Sequence, residues 1–168
     1  MENYDKKFVR KCIELSEQSF KNGGAPFGSL IVRDEKIFAD SINNAQNRIS
    51  DHAEILTLDK AHKKKGTSNL DDCILYSNCE PCPMCSFMIR EYRIKKVVFA
   101  LPSLYMGGYS KWKILQDEEL SKFKDFFGKP PEVISGLLES DAKKVMNKFY
   151  PLINVFGSDV RGNYRGDN

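Results

Sequence analysis

The chain reads CILYSNCEPCPMC over residues 73–85. Its first half is largely apolar and short, which is typical of a buried strand. Prolines follow at residues 81 and 83, and proline is favoured in the first turn of a helix. We therefore predict a strand over Cys73–Asn78 and a helix that begins after Pro81, with Cys82 and Cys85 at its N-terminus.

Cys82 and Cys85 are three residues apart, so both side chains can face one metal ion at the start of that helix. The free N–H groups and positive dipole end there favour the thiolate forms. Upstream, His52 opens a second predicted helix and offers a third ligand, with Glu54 two residues later. A structural zinc site has four protein ligands, whereas a catalytic site has three and keeps a position for water. The pattern predicts one catalytic Zn²⁺ per chain, with Glu54 as the titratable group beside it.

Other interpretations of these residues exist. A Cys-x-x-Cys pair alone is also typical of a redox dithiol or a structural zinc knuckle. Cys79 is the rival fourth ligand, but it lies before the helix, toward the end of the strand, and we interpret it as structural. Glu54 alone would be an ordinary favourable acidic residue in a first helical turn.

Hydrophobic periodicity predicts the remaining elements. Asp34 and Glu35 form a polar two-residue turn between two β-rich runs, which predicts a hairpin, and the later βαβ order predicts parallel neighbours. Asp51 is the expected N-cap of the histidine-containing helix and Gly66 its end. The predicted helices are Tyr4–Lys21, His52–Lys64, Asp117–Phe127 and Ser140–Tyr150, and the other strands are Phe27–Arg33, Lys36–Ile42, Lys96–Leu101 and Val133–Leu138.

Composition limits the class of protein. With 168 residues, 41% of them hydrophobic, the chain fits one globular domain. Five cysteines, three of them crowded together, suit metal or thiol chemistry in a reducing compartment better than a disulfide framework. We see no signal peptide and no segment long enough to cross a membrane, so we expect a cytoplasmic protein. The balance of 26 basic and 23 acidic residues gives little support for nucleic-acid binding.

His-x-Glu followed by Pro-Cys-x-x-Cys is the signature of zinc nucleobase deaminases. The chain resembles the cytidine deaminase superfamily over most of its first hundred residues, and most of all the branch of guanine, cytosine and tRNA adenosine deaminases. The resemblance rests on GAPFG at residues 24–28, Asn43, His52-Ala53-Glu54, and the stretch from Leu70 to Cys85.

The resemblance implies an α/β fold with three layers, α/β/α, around a mixed five-stranded sheet, usually assembled as a dimer or larger homo-oligomer. It implies that water activated by zinc attacks an amidine carbon of the substrate. Glu54 then carries a proton to the ring nitrogen and to the departing amine, and ammonia leaves. His52, Cys82 and Cys85 would be the zinc ligands.

Three further residues are implied substrate contacts. Asn43 matches the asparagine that holds the base in this branch, although the loop from Asn43 to His52 is about two residues shorter than usual. Ala53 would offer backbone contacts, and Phe27 would either stack on a planar ring or belong to the core.

The substrate expected from the resemblance is a free nucleobase or nucleoside, with guanine the leading candidate. Beyond Leu101 the likeness to guanine deaminases fades, because Ser103 to Met106 replace the region where those enzymes carry an acidic residue. A tRNA adenosine deaminase is the enzymatic alternative, and a zinc-stabilised binding domain is the non-enzymatic one.

Two segments have no assigned role at this stage. Tyr105, Tyr109 and Trp112 are candidates for a pocket wall, an oligomer contact or a packed cluster. We predict a deaminase domain over residues 1–155 and a tail over 156–168, in which Phe156 and Asp159 either cover the pocket or are solvated.

Overall fold

A computed structural model of the protein describes residues 2–149. The predicted boundary at residue 155, together with Tyr150, Phe156 and Asp159, lies outside the described residues. The helices are α1 Glu2–Lys21, α2 Ala53–Lys65, α3 Pro83–Glu91 and α4 Glu139–Phe149, and the strands are β1 Gly28–Arg33, β2 Lys36–Ile42, β3 Ile74–Cys79, β4 Lys96–Leu101 and β5 Glu132–Ser135.

The five strands form one mixed sheet in the order β2-β1-β3-β4-β5. β1 pairs antiparallel with both β2 and β3, and β3-β4-β5 run parallel. The predicted hairpin and the parallel neighbours are both confirmed. Since β1 is antiparallel to β2 and β3, these two strands end at the same edge of the sheet, where β1 begins.

Helices cover both faces of the sheet and complete the predicted three layers. On one face, α1 and α4 pack over β1, β3 and β4, with Phe8 and Val145 in the shared core. On the other face, α2 and α3 pack through Leu58 and Ile89 against Leu75 and neighbouring strand residues. The predicted α/β/α architecture is therefore correct.

The β1–β2 hairpin turns through two non-glycine residues in the left-handed region, Asp34 with φ 49° and Glu35 with φ 60°. Two consecutive positive φ values are the geometry of a type I′ turn, whose twist matches that of paired strands. Aspartate tolerates this region better than most residues, and the glutamate is the strained member of the pair.

The predicted helix over Asp117–Phe127 is wrong. The segment contains a short 3₁₀ turn at Glu119–Lys122 and a single turn at residues 124–126, and another 3₁₀ turn precedes it at Ile114–Gln116. The reason is Arg90 of α3, which is fully buried and donates to the carbonyl oxygens of Ile114, Asp117 and Gly128. With the Asp117 carbonyl turned toward the guanidinium, the Ser121 N–H bonds to Glu118 instead, one residue short of the α-helical partner.

Smaller differences concern the ends of elements. β5 ends at Ser135, shorter than the predicted Val133–Leu138, because Gly136 and Leu138 both have positive φ. α4 begins at Glu139, so Ser140 lies within the helix and is not its cap. Gly66 ends α2 in the left-handed conformation, as predicted.

No helix within residues 2–149 combines the length and apolar character that a membrane span requires. All five cysteines lie in this part of the chain, and none forms a disulfide.

Candidate metal centre

His52 is the residue immediately before α2. Its backbone is extended, with φ −67° and ψ 149°, and its carbonyl accepts the first helical hydrogen bond, from Leu56 N–H at 3.0 Å. Asp51 is therefore not the N-cap. Its carboxylate instead accepts hydrogen bonds from Arg48 at 2.6 Å and from the Asn44 amide at 3.3 Å. These bonds order the loop that leads to His52.

Cys82 occupies the same position before α3 that His52 occupies before α2. Its backbone is also extended, with φ −68° and ψ 172°, and Pro83 follows as the first helical residue. Cys85 lies in the first turn and is fully buried. The predicted location of both cysteines at a helix start is confirmed.

The two helix starts bring three candidate ligand atoms together. His52 Nδ1 lies 3.5 Å from Cys82 Sγ and 3.5 Å from Cys85 Sγ, and the two sulfurs are 3.6 Å apart. Zn–S and Zn–N bonds of about 2.3 and 2.0–2.1 Å at tetrahedral angles require S···N and S···S separations of about 3.6 and 3.8 Å. Of the residues described, these three form the one His, Cys and acidic group close enough to share an ion. The donor set and its spacing fit zinc.

Hydrogen bonds connect the side chains of His52, Cys82 and Cys85, which we call the His52-Cys82-Cys85 triangle, and these bonds shift the pKa values of all three. The hydrogen bond between the Cys82 and Cys85 sulfurs, together with a second one between Cys82 and His52, lowers the pKa of Cys82 to about 4 despite its burial. The same sulfur–sulfur hydrogen bond raises the pKa of Cys85 well above its usual range. The hydrogen bond to Cys82 raises the pKa of His52, and burial opposes the change. The triangle thus favours a thiolate even before a cation is considered.

Glu54 lies in the first turn of α2 and is almost completely buried, with 4% of its surface exposed. Its Oε2 is 3.6 Å from Cys85 Sγ and its Oε1 accepts a hydrogen bond from the Ser77 hydroxyl at 3.0 Å. Burial, with a contribution from the nearby Cys82 charge, raises the pKa of Glu54. A carboxylate of this kind can hold a proton near neutral pH better than an exposed one.

Asn43 and Phe27 lie at the sheet edge where β2 and β3 end. The Asn43 N–H donates to the Phe27 carbonyl at 3.0 Å, and Asn44 N–H donates to the Asp51 carbonyl at 2.9 Å. The second bond closes the loop between Asn43 and His52. Asn43 is 4% exposed, and its side-chain amide makes no hydrogen bond within residues 2–149 but keeps some access to solvent.

The side chains of Phe27 and Ala53 are less available than that of Asn43 for contact with a substrate. Phe27 is half-buried and packs against the core beneath α1 and α4, so part of its ring serves the core. Ala53, the first residue of α2, is fully buried, and its carbonyl accepts a hydrogen bond from Thr57. Cys79 is buried in the same core as Phe27 and does not belong to the ligand triangle.

Glu80 is a structural residue that the sequence patterns did not single out. It is 4% exposed and lies two residues before Cys82. Its carboxylate accepts hydrogen bonds from the peptide N–H groups of Ser103, Tyr109 and Ser110, and from the Ser110 hydroxyl. A buried carboxylate requires such hydrogen-bond donors. The sequence signal that could have identified Glu80 is an acidic residue between a buried strand and a proline.

The bonds to Glu80 close residues 103–110 into a loop, which we call the 103–110 loop. It packs on the start of α3 so tightly that a Cβ at Gly107 would collide with Glu80 and one at Gly108 with Ser86. Gly108 N–H also donates to the Pro81 carbonyl at 2.8 Å, next to Cys82. The loop and the ligand-bearing turn therefore form one packed unit.

The aromatic residues of this region divide into two groups. Tyr109 packs against the core, with its ring 6.3 Å from that of Phe99. Tyr105 and Trp112 are more than half exposed, as are Leu104 and Met106. Ser77, which donates a hydrogen bond to Glu54, could not be identified from the sequence, because a serine in a strand carries no local signal of its partner.

The chain is similar in sequence to known deaminases. Residues 2–101 match the family model of the cytidine and deoxycytidylate deaminase zinc-binding region. The guanine deaminase of Bacillus subtilis (strain 168) is 43% identical over 96 residues, which are 55% of this chain and 62% of that protein. The chain thus matches less than two thirds of that relative.

Other relatives match over a longer range. The tRNA-specific adenosine deaminase of Bacillus subtilis (strain 168) is 32% identical over 152 residues, which cover 87% of this chain and 88% of that protein. A solved structure from studies of A-to-I editing by tRNA:A34 deaminases superposes with a TM-score of 0.74 at 25% identity, covering 83% of this chain and 98% of the other. With its fold, its His/Cys/Cys triangle and these matches, the chain belongs to the cytidine and deoxycytidylate deaminase family.

Proposed function

We propose that the protein is a zinc-dependent hydrolase that deaminates a free purine base or nucleoside, with guanine the leading candidate, and releases ammonia. The observation that carries the proposal is the buried Glu54 carboxylate beside the His52-Cys82-Cys85 triangle. Three ligands and one adjacent proton-carrying group are the arrangement of a catalytic site, since a structural site would use a fourth ligand.

Each residue has a defined task in this reaction. His52, Cys82 and Cys85 would hold the zinc ion, which would make a bound water molecule acidic enough to lose a proton near neutral pH. Glu54 would take that proton at Oε2, the oxygen that faces Cys85, and deliver it to the ring nitrogen of the substrate. It would then carry the second proton of the attacking water to the departing amine. The C–NH₂ group and water become a carbonyl and ammonia.

Asn43 is the proposed recognition residue for the base. Asn43 is 4% exposed as a residue, and its amide makes no side-chain hydrogen bond within the described part of the chain, so a ligand can bond to it without breaking an existing hydrogen bond. Ala53 and the exposed part of Phe27 are proposed as further contacts, one through its backbone and one through its ring. The identity of 43% to a guanine deaminase supports guanine.

A second candidate is deamination of adenosine in tRNA. It is supported by the tRNA-specific adenosine deaminase of Bacillus subtilis, which matches 87% of this chain where the guanine deaminase matches 55%. The formal charge of +3 on 168 residues argues neither strongly for nor against a phosphate-bearing substrate.

Ammonia release from the zinc-loaded protein tests both candidates. The panel contains guanine, adenine, cytosine, their nucleosides, and an adenosine-containing anticodon stem-loop. We expect turnover of guanine or a related purine. Turnover of the stem-loop alone would select the tRNA candidate, and silence on the whole panel with zinc bound would contradict the proposed activity.

The variant Glu54→Gln separates catalysis from structure. It keeps the shape of the side chain but removes the proton acceptor, so kcat should fall at least about a hundredfold. Zinc content and melting temperature should change little. Asp59→Asn, in the same helix but outside the triangle, is the matched control. Loss of zinc from Glu54→Gln would instead make Glu54 a structural residue of a zinc-stabilised domain.

We also propose that two copies of the chain associate through the exposed apolar residues of the 103–110 loop and α3. Leu104, Tyr105 and Met106 project from the loop, and Met84 and Phe87 are exposed on the helix that it contacts. Several exposed apolar side chains on two segments that pack together are typical of interfaces. Sedimentation velocity should give twice the monomer mass, and Met106→Asp should lower it. A monomeric wild-type protein would contradict the association.

A further inference from the structure

Ser77 is a fully buried serine in the middle of β3, the central strand of the sheet. It lies opposite Ser29 of β1 and next to Phe99 of β4. Its hydroxyl is 3.0 Å from Glu54 Oε1. A polar side chain at the centre of a sheet costs free energy unless it is hydrogen-bonded, and Glu54 is the partner that satisfies it.

The direction of this hydrogen bond follows from the neighbours of the hydroxyl. The Cys79 peptide N–H approaches Ser77 Oγ at 3.4 Å, so one acceptor position of the oxygen faces a donor. A hydroxyl has a single proton to donate. The Ser77 proton is therefore directed toward the Glu54 carboxylate.

The two oxygens of Glu54 have different surroundings. Oε1 faces Ser77, and Oε2 faces Cys85 Sγ at 3.6 Å. The last torsion of a glutamate side chain has broad preferences, so the carboxylate does not hold one orientation by itself. A donor fixed on a central strand can hold it, because the strand is among the most rigid parts of such a fold.

We propose that Ser77 is a positioning residue that orients Glu54, holding Oε1 so that Oε2 faces the metal ligands. The inference rests on the proposed function in one respect, that Glu54 is the proton carrier. Without the Ser77 hydroxyl the carboxylate rotates among orientations, and only a fraction of molecules carry Oε2 in the productive position. Substrate contacts remain, so the loss falls on kcat and leaves KM close to its wild-type value.

The test compares Ser77→Ala with Ser29→Ala. Both remove one buried hydroxyl from directly opposed positions, but the Ser29 hydroxyl donates its hydrogen bond to the Tyr76 carbonyl and not to Glu54. Ser77→Ala should lower kcat about tenfold or more, the loss of one hydrogen bond to a carboxylate, with zinc content retained. Ser29→Ala should leave kcat unchanged, and Ser77→Thr, which restores a hydroxyl, should recover most of it.

A crystal structure of each zinc-loaded variant gives a readout that does not depend on turnover. In Ser77→Ala the Glu54 carboxylate should be rotated or disordered, whereas in Ser29→Ala it should keep Oε2 toward Cys85. An unchanged carboxylate in Ser77→Ala, an unchanged kcat, or equal losses in the two alanine variants would each overturn the positioning role. Silence of the wild-type protein on every substrate would contradict the proposed function alone, and the crystal structures would still decide the role of Ser77.

Discussion

Glu80 accepts two hydrogen bonds from Ser110, one from the peptide N–H at 2.6 Å and one from the hydroxyl at 2.9 Å. A third and a fourth come from the peptide groups of Ser103 and Tyr109, so a single carboxylate joins both ends of the 103–110 loop. The side chain of Glu80 therefore makes a large contribution to the shape of the loop, beside the backbone hydrogen bond from Gly108 to Pro81.

Glu80→Gln should destabilise the protein by about 1–3 kcal/mol, because an amide NH₂ would face peptide N–H donors that need an acceptor. The free energy of unfolding in urea measures the loss. Glu91→Gln, at an exposed position of α3, is the control and should have little effect. Equal stability of Glu80→Gln and wild type would show that the loop keeps its shape without the carboxylate.

Replacing one cysteine at a time should show which of the buried cysteines bind zinc. Cys85→Ala breaks the His52-Cys82-Cys85 triangle and should lose bound zinc, whereas Cys79→Ala should keep about one zinc per chain, since Cys79 lies outside the triangle. Zinc is measured by elemental analysis of the purified, folded proteins. A folded Cys79→Ala protein without zinc would establish a fourth sulfur ligand and a closed, structural site.

Asp72 should contribute to stability in a pH-dependent way. Partial burial would raise its pKa, but hydrogen bonds from Lys65 and Cys73 and the charges of Lys65 and Arg33 lower the pKa of Asp72 to about 2. The unfolded-state value is about 3.9. The folded state therefore binds fewer protons between these values, so the contribution is fully present above about pH 5 and is lost as the pH falls toward 2.

Unfolding free energies of wild type and Asp72→Asn, measured from pH 7 to pH 2, test this expectation. The side chain of Asp72 is 39% exposed, so screening limits the difference at pH 7 to about 1 kcal/mol. The difference should shrink toward pH 2. Asp71→Asn controls for net charge, because it removes a carboxylate from the same turn without touching Lys65 or Arg33. A difference that is constant with pH would contradict the ion-pair explanation.

Arg90 should not be replaceable by lysine. Its guanidinium donates to three backbone carbonyls and to the Ser121 hydroxyl from one planar group, and an ammonium on a flexible stem cannot reproduce that geometry. Arg90→Lys should cost about 2–3 kcal/mol of unfolding free energy, because buried carbonyls lose their donors.

Arg93→Lys is the matched control for Arg90. Arg93 lies just beyond α3 and donates to the Phe127 and Lys124 carbonyls, but its surroundings are less buried. Its replacement should cost less than about 1 kcal/mol. If both variants lost a similar unfolding free energy, burial of the Arg90 hydrogen bonds would not explain how much they contribute to stability.

The parts of the fold that follow local rules were predictable from the sequence. Gly66, Pro83 and the apolar runs of the strands carry their signals within a few residues, and the ligand-bearing turns before α2 and α3 were found for the same reason. The hairpin was predicted from Asp34 and Glu35 although neither is glycine, because a two-residue polar break between β-rich runs is itself informative.

The parts that depend on distant partners were not predictable. The amphipathic pattern over Asp117–Phe127 is overridden by Arg90, which lies 27 residues before Asp117 in the chain. Ser77 and Glu80 owe their importance to Glu54 and to residues 103–110, and no periodicity relates such residues. Asn43, Phe27 and Ala53 were named through family resemblance, and their contacts with a substrate stay a prediction.

The order of the strands has a consequence for how the protein matures. His52 follows β2 and the two cysteines follow β3, yet these strands are not neighbours, since β1 lies between them. The β1–β3 pairing joins residues 48 positions apart, as between Ser29 and Ser77. Closing so long a stretch of chain is slow compared with forming the hairpin. We therefore expect the three candidate ligands to meet only after the sheet has assembled. Refolding rates should then be the same with and without zinc, because zinc would bind to the folded protein.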